Sequence, residues 1–228
     1  MTKRPLLIAG ILFALAMIAI PLDGVFAQAF DRDLVPGEIQ ALLNRAETFG
    51  HGYGVLFIIL TVWILTRCEF RKLHPLIVCS LGAGLFADLI KMCVGRTRPF
   101  AVADGFAGST FTGFMPWWGS VSFHQAFDHA NQSFPSAHTA TAFGLAFCLA
   151  SMYPHGGRWF FTLATLVGIQ RVVAGAHHVS DVFVGAALGL TFATLTLRYF
   201  AARNQNSTES ADTVIMKTHT RCELSRAV

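Results

Sequence analysis

Long apolar segments separated by short polar ones constrain this chain more than any other feature of its sequence. Only 13% of its 228 residues are Asp, Glu, Lys or Arg, whereas 54% are hydrophobic. A soluble domain with so little charge could not cover such a core with polar surface, and a disordered chain needs the opposite balance. The sequence therefore predicts an all-α protein built in a lipid bilayer.

The apolar segments predict a bundle of six transmembrane helices of about 20 residues each. They cover residues 5–22, 52–66, 75–94, 136–152, 159–174 and 180–200. Residues 1–200 are thus expected to form one membrane domain. The polar residues 201–228 are expected to form a flexible cytoplasmic tail.

The first apolar segment has a second interpretation. A basic start, an apolar stretch and then Ala27-Gln28-Ala29 resemble a cleavable signal peptide. However, the apolar run of 18 residues, 5–22, is longer than the core of a typical signal peptide. We therefore favour a retained helix.

The distribution of cations predicts the orientation of the bundle. If the N-terminus lies inside, more Lys and Arg residues flank the inner ends of the helices than the outer ends, as the positive-inside rule requires. Both termini are then cytoplasmic, and the net charge of +4 needs no nucleic-acid partner. The inner cations are Lys3, Arg4, Arg67, Arg71, Lys72, Arg158, Arg198 and Arg203.

Polar residues that would lie at membrane depth gather at the outer membrane–water boundary, where each is costly and needs a reason. Lys91, Arg98 and Arg171 form a cationic cluster there, and two Arg forks suit the oxygens of a phosphate. Ser136 is a suitable N-cap for the fourth helix. The free N–H groups of a helix N-terminus also favour phosphate.

Two histidines at the same boundary complete a catalytic pattern. His177 and Asp181 are four residues apart and share one face of a helix. A carboxylate that binds one imidazole nitrogen leaves the other nitrogen free to attack. His138 supplies a second imidazole that can protonate a leaving oxygen. The sequence therefore predicts an active site that handles phosphate.

Other polar residues are expected to have structural roles. Arg96 lies near a helix end and is expected to extend to the lipid headgroups, and Asp88 is expected to pair with Lys91. His178 faces away from the catalytic face and is expected to be structural or interfacial. Loop or interface roles are expected for His51, His124 and His129. The five cysteines stand singly and are expected to be apolar packing residues or free thiols.

In order along the chain, these residues resemble the three-part motif of the type 2 phosphatidic acid phosphatase superfamily. The three blocks are Lys91-x6-Arg98-Pro99, Pro135-Ser136-Ala137-His138 and Arg171-x5-His177-x3-Asp181. Two positions depart from the family pattern, which usually has Gly at position 137 and Ser at position 170. The backbone N–H of Ala137 survives, and the amide of Gln170 can donate a hydrogen bond in place of the hydroxyl.

The resemblance implies a role for each residue of the motif. His177 is the nucleophile and forms a phosphohistidine, Asp181 orients it, and His138 protonates the leaving group and then activates water. The phosphoryl oxygens are held by Lys91, Arg98, Ser136, the Ala137 N–H and Arg171. No metal and no cofactor are implied.

The resemblance also implies a phosphorylated membrane lipid as the substrate. The candidates are polyprenyl diphosphate, phosphatidylglycerophosphate, phosphatidic acid and the phosphates of lipid A. The short basic N-terminus and compact size suggest a bacterial inner-membrane protein whose site faces the periplasm. Residues 100–134, with Trp117 and Trp118, are expected to form an interfacial lid or to pack over the helix ends.

Two other functions stay open at this point. One is a non-catalytic protein on the same fold that binds or transports lipid phosphates, although the intact His138, His177 and Asp181 argue against it. The other is a vanadate-dependent haloperoxidase, a class that is generally soluble. The six apolar segments argue against that class.

Overall fold

The computed structural model describes residues 3–29, 34–67, 69–102, 110–115 and 128–224, without the side chains of residues 71, 72 and 206–224. The described part is mostly helical, as predicted. Its α-helices are α1 (Arg4–Ala19), α2 (Asp23–Ala29), α3 (Gly37–Ala46), α4 (Gly52–Leu65), α5 (Phe70–Ile77), α6 (Ala83–Cys93), α7 (Ala137–Met152), α8 (Gly157–Val173) and α9 (Val179–Leu224).

Each of the six apolar segments is helical, and several of the helices are long enough to cross a membrane. Among the described residues, three continuous spans qualify: Arg4–Ala29, Leu73–Cys93 and Val179–Gln205. The pair α3 and α4, which meet at a bend of 60°, would supply a fourth. The protein is therefore an integral membrane protein, while the count of six spans stays a prediction.

Helix α7 forms the centre of the bundle. It has buried residues on all sides, as a core helix does, and packs against α6, α8 and α9. Small residues allow this close packing. At Gly189 of α9, for example, a Cβ would lie 2.4 Å from the carbonyl oxygen of Ala140, so a larger residue would force α9 away from α7.

Helix α1 lies along α9 at the edge of the bundle. Its Ala9 packs with Ala187 and Leu190, whereas Leu7 and Ile18 project outward. A short 3₁₀ turn, Ile20–Leu22, continues α1 into α2. This path carries Asp23, the first residue of α2, into the protein interior.

The structure corrects two expectations about the connections. The segment 23–50, expected to be a loop, contains α2 and α3, since acidic Glu38 in the first turn of α3 and basic Arg45 in the last suit the helix dipole. The fold is also not wholly helical, because β1 (Val94–Arg96) pairs antiparallel with β2 (Phe111–Phe114). Strands this short show no alternation that a sequence could reveal.

Helix α9 extends to Leu224, through the segment 201–224 that was expected to be a tail. This segment contains neither Gly nor Pro, so nothing in it interrupts the helix that begins at Val179. Its backbone is thus helical rather than irregular. Its flexibility and its place as a separate cytoplasmic unit stay predictions.

Candidate active site

Several segments of the chain bring the predicted site residues to one end of the bundle. Lys91 ends α6, His138 begins α7, and Arg171 ends α8. His138 lies within electrostatic range of Arg171, His177 and Lys91, and Arg98 lies within range of Arg171. The three sequence blocks therefore meet in space, as the motif predicts.

Helix α7 begins at the predicted cap. Ser136 has extended backbone angles, and its Oγ accepts a hydrogen bond from the N–H of Thr139 at 3.5 Å. The two hydroxyl oxygens lie 2.9 Å apart, and Ser136 is fully buried. A Cβ at Gly185 would lie 2.5 Å from the Ser136 carbonyl oxygen, so α9 also braces this helix start. Phosphate contacts by Ser136 and by the Ala137 N–H stay predictions.

The turn between α8 and α9 places Arg171 beside His177. Gly175, with φ of +64°, adopts the left-handed conformation that ends many helices. The N–H of His177 donates to the carbonyl oxygen of Arg171 at 3.1 Å. The N–H of Phe100 donates to the carbonyl oxygen of Gly175 at 3.2 Å, which ties the turn to the segment after Arg98.

His177 and Asp181 share the predicted helical face and are both buried. His177 Nδ1 lies 3.7 Å from Asp181 Oδ2, just beyond hydrogen-bond distance, so the contact is electrostatic in this state. Burial lowers the pKa of His177 to about 4; Asp181 opposes this shift, whereas Lys91 and Arg98 add to it. The imidazole is therefore neutral at neutral pH, as a nucleophile must be.

Asp181 is held by donors on both of its oxygens. Oδ2 accepts from Ser133 Oγ at 2.6 Å and from the N–H of His178 at 2.9 Å. Oδ1 accepts from Arg96 Nη1. Because Asp181 is 0% exposed, these bonds fix its position next to His177 without competition from water.

The expectation that Arg96 extends to the headgroups is wrong, because its side chain is 1% exposed. Nη2 donates to Asp23 Oδ2 at 2.6 Å, Nη1 to Ser180 Oγ at 2.7 Å, and Nε to Thr110 Oγ1 at 3.1 Å. The guanidinium also lies 4.3 Å from the centre of the Phe111 ring. Carboxylate and hydroxyl partners inside the protein thus take the place of headgroups.

A second arginine, Arg171, has partners on a more open side of the site. Its Nη2 lies 2.7 Å from Glu47 Oε1, and the same oxygen lies 3.8 Å from His138 Nε2. Its Nε donates to Gln170 Oε1 at 2.6 Å, while Gln170 Nε2 donates to Asn44 Oδ1 at 3.1 Å. Gln170, at the position where the family usually has Ser, therefore orients Arg171 and connects α8 to α3.

The two remaining cations differ in how fully they are paired. Lys91 Nζ lies 3.1 Å from Asp88 Oδ1, which confirms the predicted pair. Arg98 Nη2 donates to the carbonyl oxygen of Gln132 at 3.2 Å, but its buried Nε has no hydrogen-bond partner in the described part of the chain. A buried guanidinium with an unused donor suits an anionic ligand.

The remaining histidines have mixed outcomes. His178 is buried, and its Nε2 lies 3.1 Å from the Thr97 carbonyl oxygen, which confirms a structural role. His51 was expected to lie outside the site, which is wrong, because its ring centre lies 5.2 Å from that of His138. His129 lies within electrostatic range of Arg98. His124 and the predicted lid residues Trp117 and Trp118 lie outside the described residues.

Sequence reasoning missed four residues that support the site: Asp23, Glu47, Ser133 and Ser180. Asp23 did give a signal, because it is an acid at the end of a long apolar helix, where an unpaired charge is costly. The other three have no pattern in the sequence that separates them from ordinary loop or helix residues.

The geometry is that of a phosphate-handling site in a membrane bundle, and comparison with known proteins identifies its class. Residues 72–205 match the model of the PAP2 superfamily. Lipid A 1-phosphatase of Rhizobium johnstonii is 37% identical over 182 residues, which cover 73% of this chain and 70% of that protein. The chain belongs to the PAP2 superfamily. It is a membrane phosphatase of that class, which confirms the prediction made from the three sequence blocks.

Two solved structures have the same fold. The Aquifex aeolicus LpxE structure matches with a TM-score of 0.59 at 22% identity, over 80% of this chain and 96% of that one. The PAP2-type phosphatidylglycerolphosphate phosphatase of Bacillus subtilis matches with a TM-score of 0.57 at 18% identity, over 87% of this chain and 96% of that one. At these identities the likeness concerns the fold alone.

Proposed function

We propose that this protein is a lipid A phosphatase that removes a phosphate through a phosphohistidine intermediate. The observation that carries the chemistry is the convergence of His138 and His177 with Lys91, Arg98 and Arg171 at one end of the bundle. The choice of lipid A is supported by the relative named lipid A 1-phosphatase, which aligns with most of this chain.

In the proposed first step, His177 attacks the phosphorus through Nε2, because Nδ1 faces Asp181. The bond between phosphorus and the lipid oxygen breaks, and His138 gives a proton to that oxygen. The product is a phosphoimidazolium whose positive charge is stabilised by the carboxylate of Asp181. Burial of His177 in its neutral form supports this assignment.

In the second step, water attacks the phosphorus of the phosphohistidine. His138 takes a proton from that water, inorganic phosphate leaves, and His177 returns to its neutral form. Lys91, Arg98 and Arg171 hold the phosphoryl oxygens in both steps, together with the N-terminal N–H groups of α7. No metal takes part; in the described ranges no three His, Cys, Asp or Glu side chains are placed to hold one.

The proposed site lies at the periplasmic boundary of a bacterial inner membrane, in a bundle of six spans with both termini in the cytoplasm. This topology is supported by the excess of Lys and Arg at the opposite ends of the helices. A lipid could then approach sideways and present its phosphate at headgroup depth. Cysteine labelling of intact cells at positions 51 and 155 tests this, because the first should react from outside and the second should not.

Phosphate release from a lipid panel tests the proposed activity. Purified protein in EDTA is given lipid A, phosphatidylglycerophosphate, phosphatidic acid and a polyprenyl diphosphate. We expect release chiefly from lipid A and an acid-labile ³²P label on the wild type that is absent from His177→Ala. Release chiefly from another lipid would reassign the substrate, and no release from any would contradict the proposed function.

A further inference from the structure

The buried ion cluster behind Asp181 extends to the N-terminal helices, which lie outside the three sequence blocks. Asp23, at the start of α2, is 3% exposed, and its Oδ1 accepts from the N–H of Ser180 at 3.1 Å. Its Oδ2 accepts from Arg96 Nη2 and from the Ser180 hydroxyl. Arg96 in turn donates to Asp181. One guanidinium thus bridges a carboxylate of α2 and a carboxylate of α9.

This arrangement determines the charge that faces His177. Two carboxylates around one guanidinium leave the cluster with a net charge of −1. His178 adds none near neutral pH, because burial lowers its pKa, with Arg96 the next contributor. If Asp23 were neutral, Arg96 and Asp181 would cancel. A buried charge is little screened, so this difference acts on any positive charge that forms at His177.

We propose that Asp23 is a positioning residue, which acts through Arg96 to keep Asp181 oriented and the cluster negative next to the nucleophile. This inference rests on the proposed phosphohistidine chemistry, in which His177 becomes positively charged. Asp23 itself contacts Arg96 and Ser180 rather than any predicted phosphate ligand. It should therefore affect the chemical step more than the binding of substrate.

The same contacts bear on the first apolar segment, whose end resembles a signal peptide. A chain cut after Ala29 would lose Asp23, and Arg96 would then have Asp181 as its one remaining carboxylate partner among the described residues. Helices α1 and α2 are thus part of the working enzyme.

Asp23→Asn tests the inference, because the amide oxygen can still accept hydrogen bonds while the negative charge is removed. We expect kcat to fall roughly 10- to 100-fold, as when other groups that orient a reacting residue are altered, with KM little changed. Asp23→Glu should recover part of the loss. Glu38→Gln, the same change at an exposed acid of α3, is the matched control and should leave kcat unchanged.

A titration separates positioning from general support of the fold. The charged and titratable groups around His177 are Lys91, Arg98, His138 and Asp181. Removal of a negative charge behind Asp181 makes the imidazolium less favourable, so the NMR titration of His177 should shift to lower pH in Asp23→Asn. Asp23→Asn with wild-type kcat and an unshifted titration would overturn the inference.

This titration needs no turnover, so it also decides the inference if the wild type acts on none of the lipids and the proposed function fails. The intact mass of the purified, active protein gives the last test. A mass that includes residues 1–29 is expected, and full activity in a chain that lacks them would overturn the role of Asp23.

Discussion

The two arginine–carboxylate contacts of the site are built from the same groups but in opposite surroundings. Arg96 and its partner Asp23 are 1% and 3% exposed, and every nitrogen of Arg96 donates to a protein oxygen. Arg171 and its partner Glu47 are 12% and 24% exposed. The first contact is closed to solvent, whereas the second borders the predicted phosphate position.

The difference indicates separate tasks. Removing one partner from a fully buried ion pair leaves an uncompensated charge in the interior, so such a pair holds its geometry. A partly exposed pair contributes little to stability and can exchange a partner. We therefore expect Arg96 to fix Asp181 and Arg171 to release Glu47 when phosphate arrives. The predictions that follow test this division.

The largest effect is expected at His177, which lies between the two arginines. His177→Ala removes the nucleophile, so kcat should fall by at least roughly 10⁴-fold, as loss of a nucleophile does in other enzymes. Initial rates of phosphate release measure this. His155→Ala, an exposed histidine at the other end of α7, should retain wild-type activity. Substantial activity in His177→Ala would remove this residue from the mechanism.

Loss of the closed arginine should show as lost stability. Arg96→Met leaves Asp23 and Asp181 buried without their cation, and breaking a buried pair costs about 3–5 kcal/mol. The midpoint of thermal unfolding in detergent should therefore fall sharply. Arg158→Met removes an exposed arginine and serves as the control. If Arg96→Met unfolded at the wild-type temperature, the distinction between the two arginines would fail.

Loss of the open arginine should show as lost activity instead. Arg171→Met removes a fork that holds phosphoryl oxygens, so kcat/KM should fall on the order of 10²- to 10³-fold, the usual effect of one transition-state donor. Glu47 remains partly in water, so the unfolding midpoint should change less than in Arg96→Met. A larger loss of stability than of activity would show that Arg171 is also structural.

The pH dependence of the wild type follows from the buried state of His177. Its pKa of about 4 means that the imidazole stays neutral down to that pH. As the pH falls below about 4, protonation removes the lone pair, and kcat/KM should drop about tenfold for each further pH unit. A pH–rate profile on a soluble phosphate ester checks this. An acid limb at the ordinary histidine pKa, 6.5, would show that His177 is more exposed to water than its contacts indicate.

The sequence predicted the open side of the site well, because each of its residues belongs to a spaced pattern. Lys91, Arg98, His138 and Arg171 lie near helix ends, where the apolar segments themselves locate the membrane boundary. The His177–Asp181 spacing likewise placed both side chains on one helical face. Local periodicity was sufficient for these residues.

The closed side could not be predicted in this way. Asp23 and Arg96 are 73 positions apart, and their contact depends on how α1 packs along α9. Arg96 alone resembles many cations near helix ends, so the expectation of a headgroup contact was reasonable and wrong. Pairings between distant segments require the tertiary structure, because neither partner carries a local signal of the other.

The smallest predicted effect concerns Glu47, and it tests the open contact most directly. In the empty site, Glu47 Oε1 lies 2.7 Å from Arg171 and 3.8 Å from His138, so a phosphate that binds Arg171 must compete with this carboxylate. In Glu47→Gln the competing charge is gone. A partly exposed pair is worth about 1 kcal/mol at most, so inorganic phosphate should inhibit about fivefold more tightly. Glu38→Gln is again the control, and inhibition constants measure the effect. Weaker inhibition in Glu47→Gln would show that the carboxylate holds Arg171 in place for phosphate, and that the open contact fixes geometry just as the closed one does.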